Sequence, residues 1–403
     1  MRRKKLFQLI WILLGIALVS WQIYTPSAFS ASIPGVTDDT ITIGLTTPMT
    51  GPASLYAKVG EMSECMFWEW GKNINGRSIK TIKLDDGCDP VKGIAAVKKL
   101  IFDEKVFLLF SGQCSNMCLA VKPTVEQAGI PLISSSCVAA AMYVPVVKNI
   151  FQPVAVSTAT SETMADFFMT IPGGGRFGVI RHSDEWATSL SNPLLAYMKE
   201  KYNKVPVVDV VAERGSADVT SQVLRLKQAN LDAIFCILFP AETTAFLRDA
   251  HKLGLDVPMI GGAATYVTDQ YESLKSVAPL KKYFGCFQIG YPLDHPRVKV
   301  YENLLKKYYP STKFDAFAIS VTGGPLVIID ALKKCGRDLT WEKFINILET
   351  QYHNWDPDNY IGAVPLSFSK TNHVGMDRLG MSTIATGKLN IIKTYQDYEK
   401  LVK

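Results

Sequence analysis

Strand-like apolar runs alternate with helix-like stretches along most of this 403-residue chain, and this alternation restricts the fold more than any other feature. Val106–Phe110 is wholly apolar, as expected of a parallel strand buried on both faces. The predicted strands of a first series are Ile41–Thr47, Ser78–Leu84, Val106–Phe110 and Ile130–Ser134, and those of a second are Arg176–Ile180, Val205–Val211, Leu231–Leu238 and Val257–Gly262. Two successive series predict two doubly wound α/β lobes.

The pattern changes beyond Gln288, where three predicted helices precede strand-like segments. The helices are expected at about 297–309, 316–335 and 341–351, and the strand-like segments lie between 361 and 394. Such a tail is most easily placed if the chain crosses back to the first lobe and then returns to the second. The predicted lobes are therefore 32–155 plus about 290–365, and 156–289 plus about 366–403. A chain of this length suits two cores better than one.

The N-terminal segment has the features of a secretory signal. Basic residues at positions 2–5 precede an apolar run, Leu6–Val19, which is short for a membrane span, and small residues follow. We expect a signal peptide at 1–31, cleaved after Ser30 or Ala31; an uncleaved membrane anchor is the alternative. The segment carries four of the six net positive charges of the chain. The net charge of the remaining chain is therefore small and does not indicate a nucleic-acid partner.

Cys88 and Cys114 each stand where a strand is expected to give way to a helix. An exported chain with eight cysteines favours disulfides. Zinc is disfavoured, because C-x-x-C is absent and no histidine lies near either cysteine in sequence. A catalytic thiol would need a histidine partner, which the sequence does not suggest. We expect a cross-link between two βα loops; a second bridge, Cys118–Cys137, stays open.

The chain lacks the local patterns of common enzymes. G-x-S-x-G, H-E-x-x-H and P-loop patterns are absent. The glycine-rich turn at 172–178 lacks both the G-x-G-x-x-G spacing and a following helix, so it is not expected to bind a nucleotide. We therefore expect no catalysis, no cofactor and no metal.

Several longer stretches carry a family resemblance. "ITIGLTTPMTGPASLYAKVG", "NGRSIKTIKLDDGCDPVKGIAAVKKLI" and "SGQCSNMCLAVKPTVEQAGIPLISSS" resemble the leucine/isoleucine/valine-type periplasmic solute-binding proteins of ABC importers. The resemblance implies the type I periplasmic binding protein fold, with three crossover segments and a cleft that closes on a small molecule. It also implies a periplasmic monomer whose partners are an ABC permease pair and its ATPases, and a disulfide at the positions of Cys88 and Cys114.

The same resemblance implies a set of cleft residues. They are Tyr56, Ser115, Ser136, Val138, Trp186, Phe239, Ala263 and Phe314. Ser115 matches a serine that binds the ligand carboxylate, and a helix N-terminus there would supply N–H donors. Val138 replaces a threonine, and Trp186 and Phe239 replace tyrosines. The alternatives are a plain N-cap role for Ser115 and core packing for the aromatic residues.

Two departures from the family pattern bear on the ligand. Ala263 stands where amino-acid binders have a glutamate that holds the ammonium, and Val156 or Ser157 stands near the position of an aspartate. Because an unpaired buried charge is costly, the resemblance implies an apolar or aromatic carboxylate and not an amino acid. Branched-chain amino acid or amide binding, and a ligand-sensing role without transport, are the alternatives.

Overall fold

The computed structural model describes residues 33–51, 53–262 and 271–403. The predicted signal peptide, 1–31, and Ala263 lie outside the described residues. Within the described ranges, no helix combines the length and apolar character needed to cross a membrane.

The first sheet has five parallel strands in the order β2-β1-β3-β4-β5. They are β1 Thr40–Thr47, β2 Ser78–Asp85, β3 Leu108–Ser111, β4 Leu132–Ser134 and β5 Ile150–Phe151. Every residue of β3 and β4 is buried, which suits central strands covered by helices on both faces.

The second sheet has seven strands in the order β12-β11-β10-β9-β8-β6-β7. They are β6 Phe177–Arg181, β7 Val208–Val211, β8 Ala233–Ile237, β9 Met259–Gly261, β10 Tyr283–Phe287, β11 Gly380–Thr383 and β12 Asn390–Ile392. The strands from β6 to β10 run parallel, whereas β11 and β12 are antiparallel additions at one edge. The two sheets with interleaved helices confirm the predicted fold class.

The helices follow the strands in sequence. They are α1 Ala57–Trp70, α2 Pro90–Lys98, α3 Ser115–Ala128, α4 Ser157–Phe168, α5 Glu185–Tyr202, α6 Thr220–Gln228, α7 Pro240–Leu253, α8 Tyr271–Leu274, α9 Pro296–Tyr308, α10 Gly323–Cys335, α11 Trp341–Gln351 and α12 Tyr395–Val402. α9 and α10 pack against α1, so this part of the chain lies on the side of the first sheet. The exact lobe boundaries stay predictions.

Local signals explain several helix ends. The Asp89 carboxylate accepts from Lys92 N at 2.9 Å, and Pro90 occupies the first helical position of α2. Gly129 ends α3 with a φ of 66°, which a glycine adopts without strain. The prediction of a helix from 316 was wrong over its first turns. Ala318 N donates to the Asp315 carboxylate there, and tight turns continue as far as α10.

Backbone hydrogen bonds hold the crossover segments in two pairs. In the first pair, Gln152 N donates to His373 O at 2.8 Å, and Gly375 N donates to Gln152 O at 2.7 Å. In the second pair, here called the crossover ribbon, Ala363 N donates to Gln288 O at 2.8 Å. Each pair keeps two crossover segments side by side.

Candidate ligand-binding site

Two connected chambers lie beyond the carboxyl ends of the strands, where open α/β sheets bind their ligands. The inner chamber is lined by Tyr56, Gln113, Ser136, Val138, Thr160, Trp186, Leu190, Phe287, Gln288, Phe317 and Ser320. The outer chamber is lined by Tyr56, Cys88, Gln113, Cys114, Ser115, Asn116, Asp184, Glu185, Trp186, Arg214 and Phe239. Tyr56, Gln113 and Trp186 belong to both chambers.

Tyr56 and Phe317 form an aromatic wall on the side of the first sheet. Their ring centroids are 4.9 Å apart in an edge-to-face arrangement. Close by in the chain, Lys58 Nζ lies 2.5 Å from Asp315 Oδ2, and both side chains are well buried. This ion pair joins the segments that carry the two rings. Burial raises the pKa of Tyr56 to about 12, so its phenol stays neutral at physiological pH.

Trp186 and Phe239 form the opposite wall, at the start of α5 and α7. Their rings stack with centroids 4.5 Å apart and planes 23° apart. His182 supports the stack from behind, because Phe239 N donates to its Nε2 at 3.3 Å. His182 Nδ1 is 2.9 Å from Ala212 O, and it therefore carries the ring proton in this arrangement.

Arg214 closes the outer chamber on the side of the second sheet. Its guanidinium carbon lies 4.6 Å from the centroid of the Phe239 ring, within the range of a cation–π contact. Arg214 Nη1 forms an ion pair with Asp184 Oδ2 at 3.6 Å, which is longer than a hydrogen bond, and the Arg214 side chain is 47% exposed. Its remaining N–H groups are available to another acceptor. Glu242 fixes the turn that follows Arg214, because Gly215 N donates to Glu242 Oε1 at 2.6 Å.

The start of α3 faces the same chamber from the first sheet. The first N–H groups of a helix have no partner within it, and no side chain caps this helix. Ser115 is 3% exposed, and its Oγ lacks a hydrogen-bond partner among the described residues. Ser115 Oγ, the first N–H groups of α3 and the Arg214 guanidinium therefore border one space, an arrangement suited to an anion.

The inner chamber has a different character. None of the described residues that line it carries a charge. Thr47 Oγ1 donates to Gln113 Oε1 at 2.8 Å, which fixes the orientation of the Gln113 amide. Ser136 Oγ and Gln288 Oε1 are buried, and neither has a hydrogen-bond partner in the described part of the chain. The chamber thus combines apolar walls with a few uncharged polar groups.

The cysteines divide into one bridge and six thiols. Cys88 and Cys114 are joined by a disulfide, with 5.6 Å between their Cα atoms, and both line the outer chamber. The bridge therefore ties the turn after β2 to the start of α3. Cys118 and Cys137 are both free and buried, so the second bridge is not formed.

Six of the eight residues proposed from the sequence line the chambers. Tyr56, Ser136, Val138 and Trp186 line the inner chamber, and Ser115 and Phe239 line the outer one. Ala263 lies outside the described residues, and Val156 and Ser157 line neither chamber.

Sequence reasoning missed Arg214, Gln113 and Gln288. Each follows a strand of the sheets directly or within three residues: Gln113 follows β3, Arg214 follows β7 and Gln288 follows β10. Position after a parallel strand was therefore a usable signal. It does not by itself separate cleft residues from the other loop residues at that edge.

The match to a protein family agrees with this architecture. The family model described as "Periplasmic binding protein" matches residues 40–388. The chain belongs to the periplasmic binding protein family. Members of this family are solute-binding proteins, which are not enzymes.

Individual relatives are distant. A leucine-, isoleucine-, valine-, threonine- and alanine-binding protein of Pseudomonas aeruginosa is 23% identical over 226 residues, which cover 55% of this chain and 60% of that protein. The chain thus spans about three-fifths of the length of that curated relative.

Two solved structures show the same fold. A branched-chain amino acid ABC transporter protein of Thermus thermophilus with bound valine has a TM-score of 0.78 at 17% identity, covering 91% of this chain and 99% of its own. An R. palustris solute-binding protein in complex with 4-hydroxybenzoate has a TM-score of 0.73 at 16% identity, covering 91% and 100%. Such likenesses bear on fold and leave the ligand of this chain open.

Proposed function

We propose that this chain is the periplasmic solute-binding component of an ABC importer, and that its ligand is an apolar or aromatic carboxylate. The observation that carries the proposal is the division of the cleft. Arg214, Ser115 and the N-terminus of α3 surround the outer chamber, whereas uncharged, largely aromatic residues line the inner one. A carboxylate bound in the outer chamber leaves a flat apolar body between Tyr56 and Trp186.

The proposed route to the periplasm is the signal peptide at 1–31. The proposed partners are a membrane-spanning permease pair and its ATPases, which a monomeric binding protein would supply with ligand. Ligands that bridge both walls of a two-lobed cleft favour the closed form, and closure is the signal a permease can recognise. A sensing role would use the same closure, and a gene neighbourhood without permease and ATPase genes would favour it.

A branched-chain amino acid is the second candidate, because Asp184 and Glu185 also line the outer chamber. Two observations weigh against it. Asp184 already accepts a hydrogen bond from Ala187 N at 2.9 Å. It also pairs with Arg214, whose positive charge would repel the ammonium group of an amino acid. Glu242, the buried acid nearby, lines neither chamber.

Calorimetry of ligand-free mature protein with benzoate, leucine and benzamide tests the proposal. Benzoate should bind, benzamide should bind far more weakly because it lacks the negative charge, and leucine should bind poorly. Loss of a charge-assisted hydrogen bond in a closed site corresponds to about ten- to a hundredfold in affinity. Micromolar leucine binding together with no benzoate binding would overturn the proposal.

A further inference from the structure

The inner chamber contains an amide whose hydrogen bonds are incomplete. Gln288 follows β10 directly, is 6% exposed, and lines the chamber. Its Oε1 accepts no hydrogen bond from the described residues. Ser136 Oγ, on the same chamber, is likewise unpartnered there. Buried polar groups normally have partners, so these two atoms indicate that something else supplies them.

Gln288 also marks the end of the cleft remote from the proposed carboxylate site. It lines the inner chamber and, with Ser320, a smaller pocket of about 220 Å³ beside the crossover segments. Its backbone carbonyl accepts from Ala363 N, which places it on the crossover ribbon. Arg214 and Ser115 line only the outer chamber. A ligand that spans both chambers therefore presents its far end to Gln288.

The polar groups around Gln288 restrict which chemical group the far end of the ligand can carry. A second carboxylate would bring a negative charge into a chamber whose described lining has no cation. A methyl group would leave the Gln288 carbonyl unpaired. A hydroxyl group would donate to Gln288 Oε1 and could accept from the Ser136 hydroxyl.

We propose that the ligand carries an uncharged hydrogen-bond donor, such as a phenolic hydroxyl, at the end remote from its carboxylate, and that Gln288 accepts it. This inference rests on the proposed function, because it takes the carboxylate end as given. Gln288 is then a specificity-determining residue that distinguishes ring substituents of similar size.

Calorimetry with benzoate and its 3- and 4-hydroxy, 4-methyl and 4-methoxy derivatives tests the inference on the wild-type protein. At least one hydroxybenzoate should bind about tenfold or more tightly than 4-methylbenzoate. The methoxy compound, which accepts but cannot donate, should gain nothing over the methyl compound. Gln288→Leu should abolish the hydroxyl preference, so that the hydroxy and methyl derivatives bind it with similar affinity. Gln228→Leu, at an exposed helical glutamine, is the matched control and should keep the preference.

The outcomes separate the two proposals. If the benzoates bind but hydroxyl and methyl derivatives bind equally, the inference about Gln288 is wrong and the proposed carboxylate function stands. If none of the acids binds, the proposed function itself fails. Should Gln288→Leu not fold, the wild-type series still decides, and Ser136→Ala should reduce the preference in part.

Discussion

The indole ring of Trp186 lies over the ring of Phe239, with 4.5 Å between the centroids. The Arg214 guanidinium carbon lies 4.6 Å from the centroid of the same Phe239 ring. An aromatic surface and a cation thus come together from three separate loops of the second sheet. This junction joins the apolar and the anion-binding parts of the cleft.

Trp186→Ala should weaken binding of an aromatic acid by about ten- to a hundredfold, because one face of the ligand loses its stacking partner. Trp186 is only half-buried, so the melting temperature should change little. Phe314→Ala is the control: Phe314 lines neither chamber, and its loss should leave the affinity within about twofold. Calorimetry on both variants makes the comparison. Equal losses of affinity in the two variants would show that Trp186 does not form a wall of the binding site.

Arg214→Gln should weaken benzoate binding by about ten- to a hundredfold and leave benzamide binding almost unchanged, since only the anion uses the charge. Arg181→Gln is the matched control. Arg181 pairs with Asp209 at 3.0 Å and lines neither chamber, so its removal should not change affinity. Ser115→Ala should cost less than Arg214→Gln, because the α3 amides remain. Equal effects of the two arginine variants would indicate only a general electrostatic influence.

Replacing both Cys88 and Cys114 by serine should lower the free energy of unfolding by about 3–4 kcal/mol, the value expected for a loop of this size. The bridge also lines the outer chamber, so the affinity should fall as the start of α3 loosens. Urea denaturation and calorimetry measure the two effects. Intact mass after alkylation without reductant should show both cysteines protected, and free thiols at both positions would contradict the structure.

The free energy of unfolding should fall as the pH rises above 9. Burial raises the pKa of Cys65 and of Cys335 from 9.0 to about 12. The folded state therefore holds these protons more tightly than the unfolded state, and this stabilisation is lost between about pH 9 and 12. Urea denaturation at pH 7.5, 9 and 10.5 checks the slope. Cys65→Ala should make the dependence of the unfolding free energy on pH less steep. A dependence equal to that of the wild type would show that the Cys65 thiol does not contribute to it.

The parallel strands were predictable because most of them are short apolar runs that alternate with helix-like stretches. Leu132–Ser134 and Ala233–Ile237 fall inside predicted strands. The short strand Ile150–Phe151 was missed, since two residues carry no periodicity. The helix expected from 316 failed because its first turns are apolar but hydrogen-bond locally, as at Ala318.

Some residues of the candidate site were likewise predictable from the sequence, and others were not. Ser115 lies in a stretch that carries the resemblance, and the resemblance placed both Ser115 and Trp186 in the cleft. Arg214 lies in no such stretch: its neighbours in sequence are an exposed loop, and an arginine there normally faces solvent. The contact with Phe239, the ion pair with Asp184 and the hydrogen bond between Gly215 and Glu242 give it a place at the cleft.

The sequence by itself determined the two α/β lobes, the positions of Cys88 and Cys114 after successive strands, and the absence of common catalytic patterns. These properties depend on local periodicity and spacing, which a single chain displays directly. Tertiary structure alone decided which loops meet. Gln288, Arg214 and Tyr56 are separated by many residues, and they share one cleft only because parallel strands of two sheets direct their carboxyl ends toward it. The pairing of a charged outer chamber with an uncharged inner one is therefore a property of the folded protein.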